Sequence, residues 1–233
     1  MILDKKKFEK KYPEATYIQY SIADIQRQRK DGYCSQYGQD FFLWSKFFRH
    51  INDGFFIEIG ANDPIQNSNS YFFEQQGWRG VGIDPISRFD GLWKDNRSSQ
   101  FFCGAVADKE MQINFVEILP KEGWEHALSG FKENVRPEDL NIYDYIEYPV
   151  LAKPLSSYLT DIPQVNLIMI DVEGAEIQVL QGIDFDHLKP DFVMIENISE
   201  YGGNDYIREY MKNYGYHCIA RIAATDDVFC KEV

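Results

Sequence analysis

A chain of 233 residues is long enough for one well-buried α/β domain, or at most two small ones. Its formal charge of −13 excludes nucleic acid as a main partner, because phosphate binding depends on Lys and Arg to displace counterions. No apolar run reaches bilayer length, and the opening MILDKKKFEKKYPEATY lacks the apolar stretch of a secretory signal. Cys34, Cys103, Cys218 and Cys230 lie far apart with no C-x-x-C, so they read as reduced and mostly buried thiols of a cytoplasmic protein.

Residues 1–33 carry Lys5-Lys6-Lys7 and Lys10-Lys11 and read as a helical or loosely ordered, solvated N-terminal extension. Leu43, Trp44, Phe47 and Phe48 fall at helical spacing, which predicts a buried helix over 41–50, ahead of the turn Asn52-Asp53-Gly54. The run Phe55-Phe56-Ile57-Glu58-Ile59 is a strand that stops at Gly60. A second strand follows a short helix over 70–76 and ends at Asp84-Pro85, where proline breaks the ladder. A helix to 96, a strand over 101–106 and a hairpin-like strand over 113–118 come next. Residues 119–153 mix Trp124, His126, Phe131, Tyr143 and Tyr145 with charges and a β-like run. So long an insertion reads as a lid or substrate-selecting segment whose rings suit a sugar face. The apolar runs 165–170 and 192–195 have the pattern of strands covered on both faces. Ile207, Tyr210, Met211 and Tyr214 predict an amphipathic helix stopped by Gly215, and two closing strands end the chain. The expected organisation is one domain over 34–233 behind the extension.

Strands alternating with helices predict a doubly wound sheet whose ligands sit at the carboxyl ends of the strands. Four of those ends carry polar groups: Glu58 with Gly60, Asp84, Asp171 with Glu173, and Glu196 with Asn197. Gly60, lacking Cβ, lets the backbone approach a ligand closely. The turn Gly60-Ala61-Asn62-Asp63-Pro64 lacks the three glycines that cradle a pyrophosphate, which suits a phosphate-free nucleoside such as S-adenosylmethionine. Asp84 follows Gly60 by 84 − 60 = 24 residues, close to the spacing of roughly 20 at which an acid accepts from ribose hydroxyls.

The segments SQYGQD, GFFIEIGAND, SNSYFFEQQGWRGVGIDP, IDVEGAE and VMIEN together resemble the FkbM family of S-adenosylmethionine-dependent methyltransferases, over residues 35–197. The resemblance implies a Rossmann-like class I methyltransferase fold, with a mostly parallel seven-stranded sheet flanked by helices. It also implies O-methylation of a small-molecule hydroxyl, commonly on a sugar or another secondary metabolite. Asp63-Pro64 stands where many members have glycine, and Asp84 stands where Glu is common. Carried onto this chain, the cofactor contacts Glu58, Gly60, Ala61 and Asn62 at the turn, Asp84 at the ribose, and the backbone of Ala105 and Val106 near the adenine. Gln36 and Asp40 approach the methionine end, where an acid can hold the amino group; as a bare pattern they also suit the cap of the following helix.

Transfer to a hydroxyl benefits from a base, for which Asp171, Glu173 and His126 are the candidates. Asp171, Glu196 and Asn197 also form an oxygen-only set suited to Mg²⁺, as in catechol-type O-methyltransferases, although Gly174 stands where that group has lysine. For Glu173 and Glu176, a place in the first turn of a helix explains the residue equally well. The competing readings are an NAD(P)-dependent oxidoreductase, disfavoured by the missing G-x-G-x-x-G, and a non-catalytic cofactor-binding module.

Overall fold

The structure is a computed structural model that describes residues 2–160, 162–198 and 203–231. Its strands are β1 (Thr16–Ile18), β2 (Phe55–Ile59), β3 (Arg79–Asp84), β4 (Gln100–Cys103), β5 (Ala105–Val106) and β6 (Met111–Ile118), followed by β7 (Gly130–Phe131), β8 (Tyr145–Lys153), β9 (Leu167–Ile170), β10 (Phe192–Glu196), β11 (Tyr216–Ile222) and β12 (Asp226–Lys231). Eight of them form one mixed sheet in the order β1-β11-β12-β10-β9-β2-β3-β4. The run from β10 to β4 is parallel, and β12 is antiparallel to both of its neighbours. This α/β protein therefore has a mixed sheet that is still mostly parallel, five of its seven pairings being so, but with eight strands in place of the expected seven. The added edge strand comes from the N-terminal segment, with Thr16 registered on Ala220 and Ile18 on Ile222.

That segment is more than a solvated lead-in. The helix α1 (Ile2–Lys11) buries Phe8, and Lys11 and Tyr12 both bind the Asp205 carboxylate. A second helix, α2 (Ile22–Lys30), starts on a reciprocal Ser21–Asp24 capping box.

The central strands show why periodicity predicted them. Every residue of β2 and β9 is buried, and alternate side chains feed two cores. Ile57, Ile59, Ile168, Ile170, Val193 and Ile195 face one layer, which holds the helices Glu176–Gln181, Phe185–Leu188 and Asp205–Lys212. Phe56, Leu167, Met169 and Met194 face the other, against Phe42, Leu43, Phe48, Phe73 and Trp78. The helix expected over 41–50 is α helical only over Gln39–Leu43 and continues as a wider π turn over Trp44–Phe48.

The strand expected over 101–106 is two strands in two sheets. The chain leaves the main sheet at Gly104, and β5 joins a four-stranded sheet in the order β5-β8-β6-β7. The insertion at 119–153 supplies half of that sheet, β7 and β8, together with a 3-10 turn (Glu125–Leu128) and a short helix (Pro137–Ile142). Among the described residues no helix is long and apolar enough to cross a membrane. None of the four thiols is fully buried; Cys103 is exposed, because it ends β4 where the chain crosses between sheets.

Candidate active site

Strands β2, β3 and β4 step one way from the middle of the sheet, and β9 and β10 step the other. The crevice between β2 and β9 is the point where strand order reverses, and an open sheet presents its ligand site there. Two strand ends meet at it in close contact. Gly60 adopts a φ of +80°, and a Cβ at that position would lie 1.6 Å from the Asp171 carbonyl oxygen. The glycine is therefore demanded first by the neighbouring strand end, a contact that sequence reasoning assigned to the ligand.

A cavity of about 300 Å³ opens above this junction. Its walls include Gln36, Glu58, Gly60, Ala61, Asn62, Asp84, Ala105, Val106, His126, Asp171, Glu173 and Glu196, so most of the residues singled out in the sequence converge on one space. Asp40 and Asn197 do not belong to it. Asp40 is fully buried, and its carboxylate accepts from the backbone N–H groups of Cys34, Ser35 and Phe41 and from the Ser35 hydroxyl. It is saturated by the turn before α3 (the Gln39–Leu43 helix) and is not available to an amino group. Asn197 spends its amide on the Asn204 backbone and on Asp227 Oδ2.

Asp84 is buried at the end of β3. Asn62 N–H donates to its Oδ2 at 2.9 Å and Ile86 N–H to its Oδ1 at 2.8 Å. Burial pushes its pKa up to about 6, against the lowering effect of those two donors. Each oxygen keeps a lone pair beyond the backbone bond. The Asn62 side chain accepts from Asp63 N–H, and the Asp63 carboxylate accepts from the N–H groups of Ile65 and Gln66. The Asp-Pro step thus tightens this turn, an Asx device that replaces glycine.

Glu58 points away from the Ile57–Ile59 face, as strand alternation requires, and accepts from Asn69 N–H and the Ser70 hydroxyl. Its pKa is pushed up to about 7 by burial, with Arg97 opposing. Arg97 holds the same loop from below: it pairs with Glu74, donates to the Pro64 carbonyl and the Ser70 hydroxyl, and lies 4.2 Å from the Trp93 ring centre. The amide-rich wall over 66–69 was missed in sequence reasoning, because a polar run ahead of a helix reads as an ordinary loop.

On the other side of the junction, carboxylate oxygens of Asp171, Glu173 and Glu196 lie within 4.8 Å of one another. The trio differs from the one expected for a metal, with Glu173 in the place given to Asn197. Glu173 reaches inward from a backbone φ of +52°, held ahead of the Glu176–Gln181 helix, where Gly174 N–H donates to Glu176. Burial first, and mutual repulsion second, raise the pKa of Asp171 and Glu196 well above the usual carboxylate range; Glu173 is raised as well. Such a set cannot hold three full negative charges near neutrality.

His126 lies in the insertion, away from that trio. Its ring sits 5.4 Å from the Phe89 ring, and burial and the Arg88 charge lower its pKa. The charges that reach it most are Arg88, Asp63, Glu125 and Glu117, on the Asp84 side. Ala105 and Val106 line the cavity, and the Tyr158 hydroxyl donates to the Ala105 carbonyl. Of the four rings expected to face a sugar, Trp124 and Phe131 line the cavity. Tyr143 packs against Val116, Ile118 and Val135 instead, and Tyr145 is exposed.

A family model for the methyltransferase FkbM domain matches residues 58–218, more than half of the chain. The chain belongs to the FkbM methyltransferase family. No curated protein matches it. The FkbM match begins at Glu58 and takes in every strand end around the cavity, from β2 to β10. Membership points to methyl transfer, with S-adenosylmethionine the donor used by methyltransferases in general.

Proposed function

We propose that this protein is an S-adenosylmethionine-dependent O-methyltransferase that acts on a hydroxyl of a small, sugar-like molecule. The observation that carries the reading is the placement of Asp84 and of the Asp171–Glu173–Glu196 trio around one cavity, either side of the point where strand order reverses. S-adenosylmethionine, when bound, supplies an electrophilic methyl group on a sulfonium. The wall suits such a nucleoside, because Asp84 keeps one lone pair on each oxygen for a vicinal diol after satisfying two backbone donors. The turn at 60–64 offers no triple-glycine cradle for a diphosphate.

The trio supplies the chemistry at the acceptor. The acceptor hydroxyl must lose its proton when it is methylated, and an ionised member of the trio would take it. Glu173, with its pKa near 7, matches that task at neutral pH. Alignment of the oxygen behind the methyl group supplies much of the rate. Trp124 and Phe131, together with the carboxylates, are the pairing of ring face and acceptor that receives a sugar. Mg²⁺ enters this reading only through Asp171, Glu173 and Glu196, an oxygen-only set; Asn197 would take no part.

Calorimetric titration with S-adenosylmethionine, S-adenosylhomocysteine and NADH tests the proposal. Both methionine derivatives are expected to bind and NADH is not; the opposite pattern sinks the reading. A methyl-transfer screen over glycans and nucleotide sugars, run with EDTA and with added Mg²⁺, then separates a carboxylate base from a metal-assisted one.

A further inference from the structure

Six acids line the cavity, Glu58, Asp63, Asp84, Asp171, Glu173 and Glu196, and no Lys or Arg among the described residues joins them. The fold answers three of the six. Glu58 accepts from Asn69 N–H and the Ser70 hydroxyl, Asp63 from the N–H groups of Ile65 and Gln66, and Asp84 from those of Asn62 and Ile86. Asp171, Glu173 and Glu196 receive no hydrogen bond from the described residues, and none of their oxygens is sealed from the cavity. The neighbouring charges that act most on Asp171 and Glu196 are all carboxylates. The nearby cations are spent elsewhere. Arg136, which acts on Glu173, is paired with Asp139 through Nε and Nη2, while Arg88 pairs with Glu117 and Arg97 with Glu74. Carboxylates that open on a cavity without a partner leave their counter-charge to a ligand.

Resting on the reading of the site as one for methyl transfer to a sugar-like hydroxyl compound, we propose that the acceptor is an amino sugar whose ammonium group is held by Asp171, Glu173 and Glu196. An ammonium has three donors and no acceptor, one donor for each carboxylate. Tetrahedral donors at about 2.8 Å set three acceptor oxygens roughly 4.6 Å apart. The oxygens of the trio lie within 4.8 Å of one another, a span that such a group fills. Each carboxylate has a second oxygen, so the set can hold the ammonium and still accept the hydroxyl proton. A divalent cation is the weaker match. It takes six or more oxygens, and the Asn197 side-chain oxygen that would extend the set is spent on Asn204 N–H. A phosphate, sulfate or carboxylate on the acceptor would meet acids on every side and no cation. The strand Gly130–Phe131 lies against Glu173, since a Cβ on Gly130 would sit 3.5 Å from the Glu173 carbonyl oxygen, and Phe131 lines the cavity. That ring gives the C–H face of the sugar an apolar neighbour.

The test follows label from methyl-labelled S-adenosylmethionine, transferred by the full chain to near-isosteric pairs: glucosamine against glucose, galactosamine against galactose, and mannosamine against mannose. Glucose 6-phosphate and glucuronic acid serve as anionic controls. The expected result is a kcat/KM about tenfold or more higher for an amine than for its hydroxyl partner, with no transfer to the anions. Glu196→Gln should shrink that ratio severalfold, and calorimetric binding of S-adenosylhomocysteine reports that the variant is folded. A ratio near one overturns the assignment, as does a preference for an anion or a ratio that Glu196→Gln leaves unchanged. So does transfer to amine and hydroxyl partners alike that depends on added Mg²⁺, which would make the trio a metal site. Absence of transfer to every compound while S-adenosylhomocysteine binds overturns the amino-sugar class alone. If S-adenosylhomocysteine does not bind, it is the reading of the cofactor that falls, and this assignment with it.

Discussion

Asp84 and Asp40 are the same residue type, both buried, with opposite fates. Asp84 takes one backbone donor on each oxygen and opens on the cavity, whereas Asp40 is closed off by four donors. Removal of the first should therefore cost binding, and removal of the second should cost stability. Asp84→Ala is expected to weaken S-adenosylhomocysteine binding by about 1.5–3 kcal/mol, as for hydrogen bonds to a charged group. Asp40→Ala should lower the melting temperature while any surviving folded protein keeps its affinity. Calorimetry and thermal melting on the two variants decide between these outcomes. A carboxylate at the end of an apolar strand was legible in the sequence. How many of its lone pairs the fold consumes was not, because the donors at Asp40 come from backbone groups that any residue carries.

At the scale of elements, the insertion differs most from a loop. Its strands build a second sheet on the first, and its 3-10 turn is nucleated by one side chain: the Glu125 carboxylate accepts from the backbone N–H groups of Lys121, Glu122, Gly123 and Trp124. Those bonds hold Glu125 below its ordinary pKa, although burial acts first and in the opposite sense. The turn presents Trp124 and His126 to the cavity. Glu125→Ala should release it and lower kcat/KM for the acceptor by about ten- to hundredfold, the penalty for misplacing a positioning group by an ångström or so. Affinity for S-adenosylhomocysteine should change little, since the strand ends below are untouched. Steady-state kinetics beside calorimetry check this; an equal loss in both would show that the turn props up the whole pocket. The mixture of aromatics and charges at 119–153 signalled something other than a linker, but strand pairing between residues well separated in the chain, such as Met111 with Ala152, leaves no local mark.

For the molecule as a whole, acidity and burial combine. Glu58, Asp84 and Asp226 have pKa values raised by burial to about 7, about 6 and about 6, and Asp171, Glu173 and Glu196 are raised too. In the unfolded chain these groups return to 3.8 or 4.5. Between those limits the native state binds more protons than the unfolded one, so stability falls as pH rises. The contribution is complete below the unfolded values and is lost as pH climbs through the folded ones. Glu74 and Asp205, whose values are lowered, act only in more acid solution and do not oppose this. Without ligand, the melting temperature is expected to fall from about pH 5 to about pH 8. Glu196→Gln should flatten that slope, whereas the general self-repulsion of a chain at −13 would survive the change. A profile flat over this range would mean that the acids are hydrated in the native state.

Local pattern alone determined the alternation of strands and helices, the buried pair β2 and β9, the acids at four strand ends and the glycine turn between them. Each of these follows from residue period, chain stiffness or the absence of a side chain, all properties of neighbours in sequence. The tertiary structure decided what depends on distant partners. It added the N-terminal edge strand, split the strand at Gly104 between two sheets, and put Glu173 in the acid trio in place of Asn197. It also spent Asp40 on its own turn and left the acid trio without a donor. The reason is the same in each case: a side chain's role is set by which of its hydrogen bonds and faces remain open once the rest of the chain has packed, and no window of sequence contains that sum.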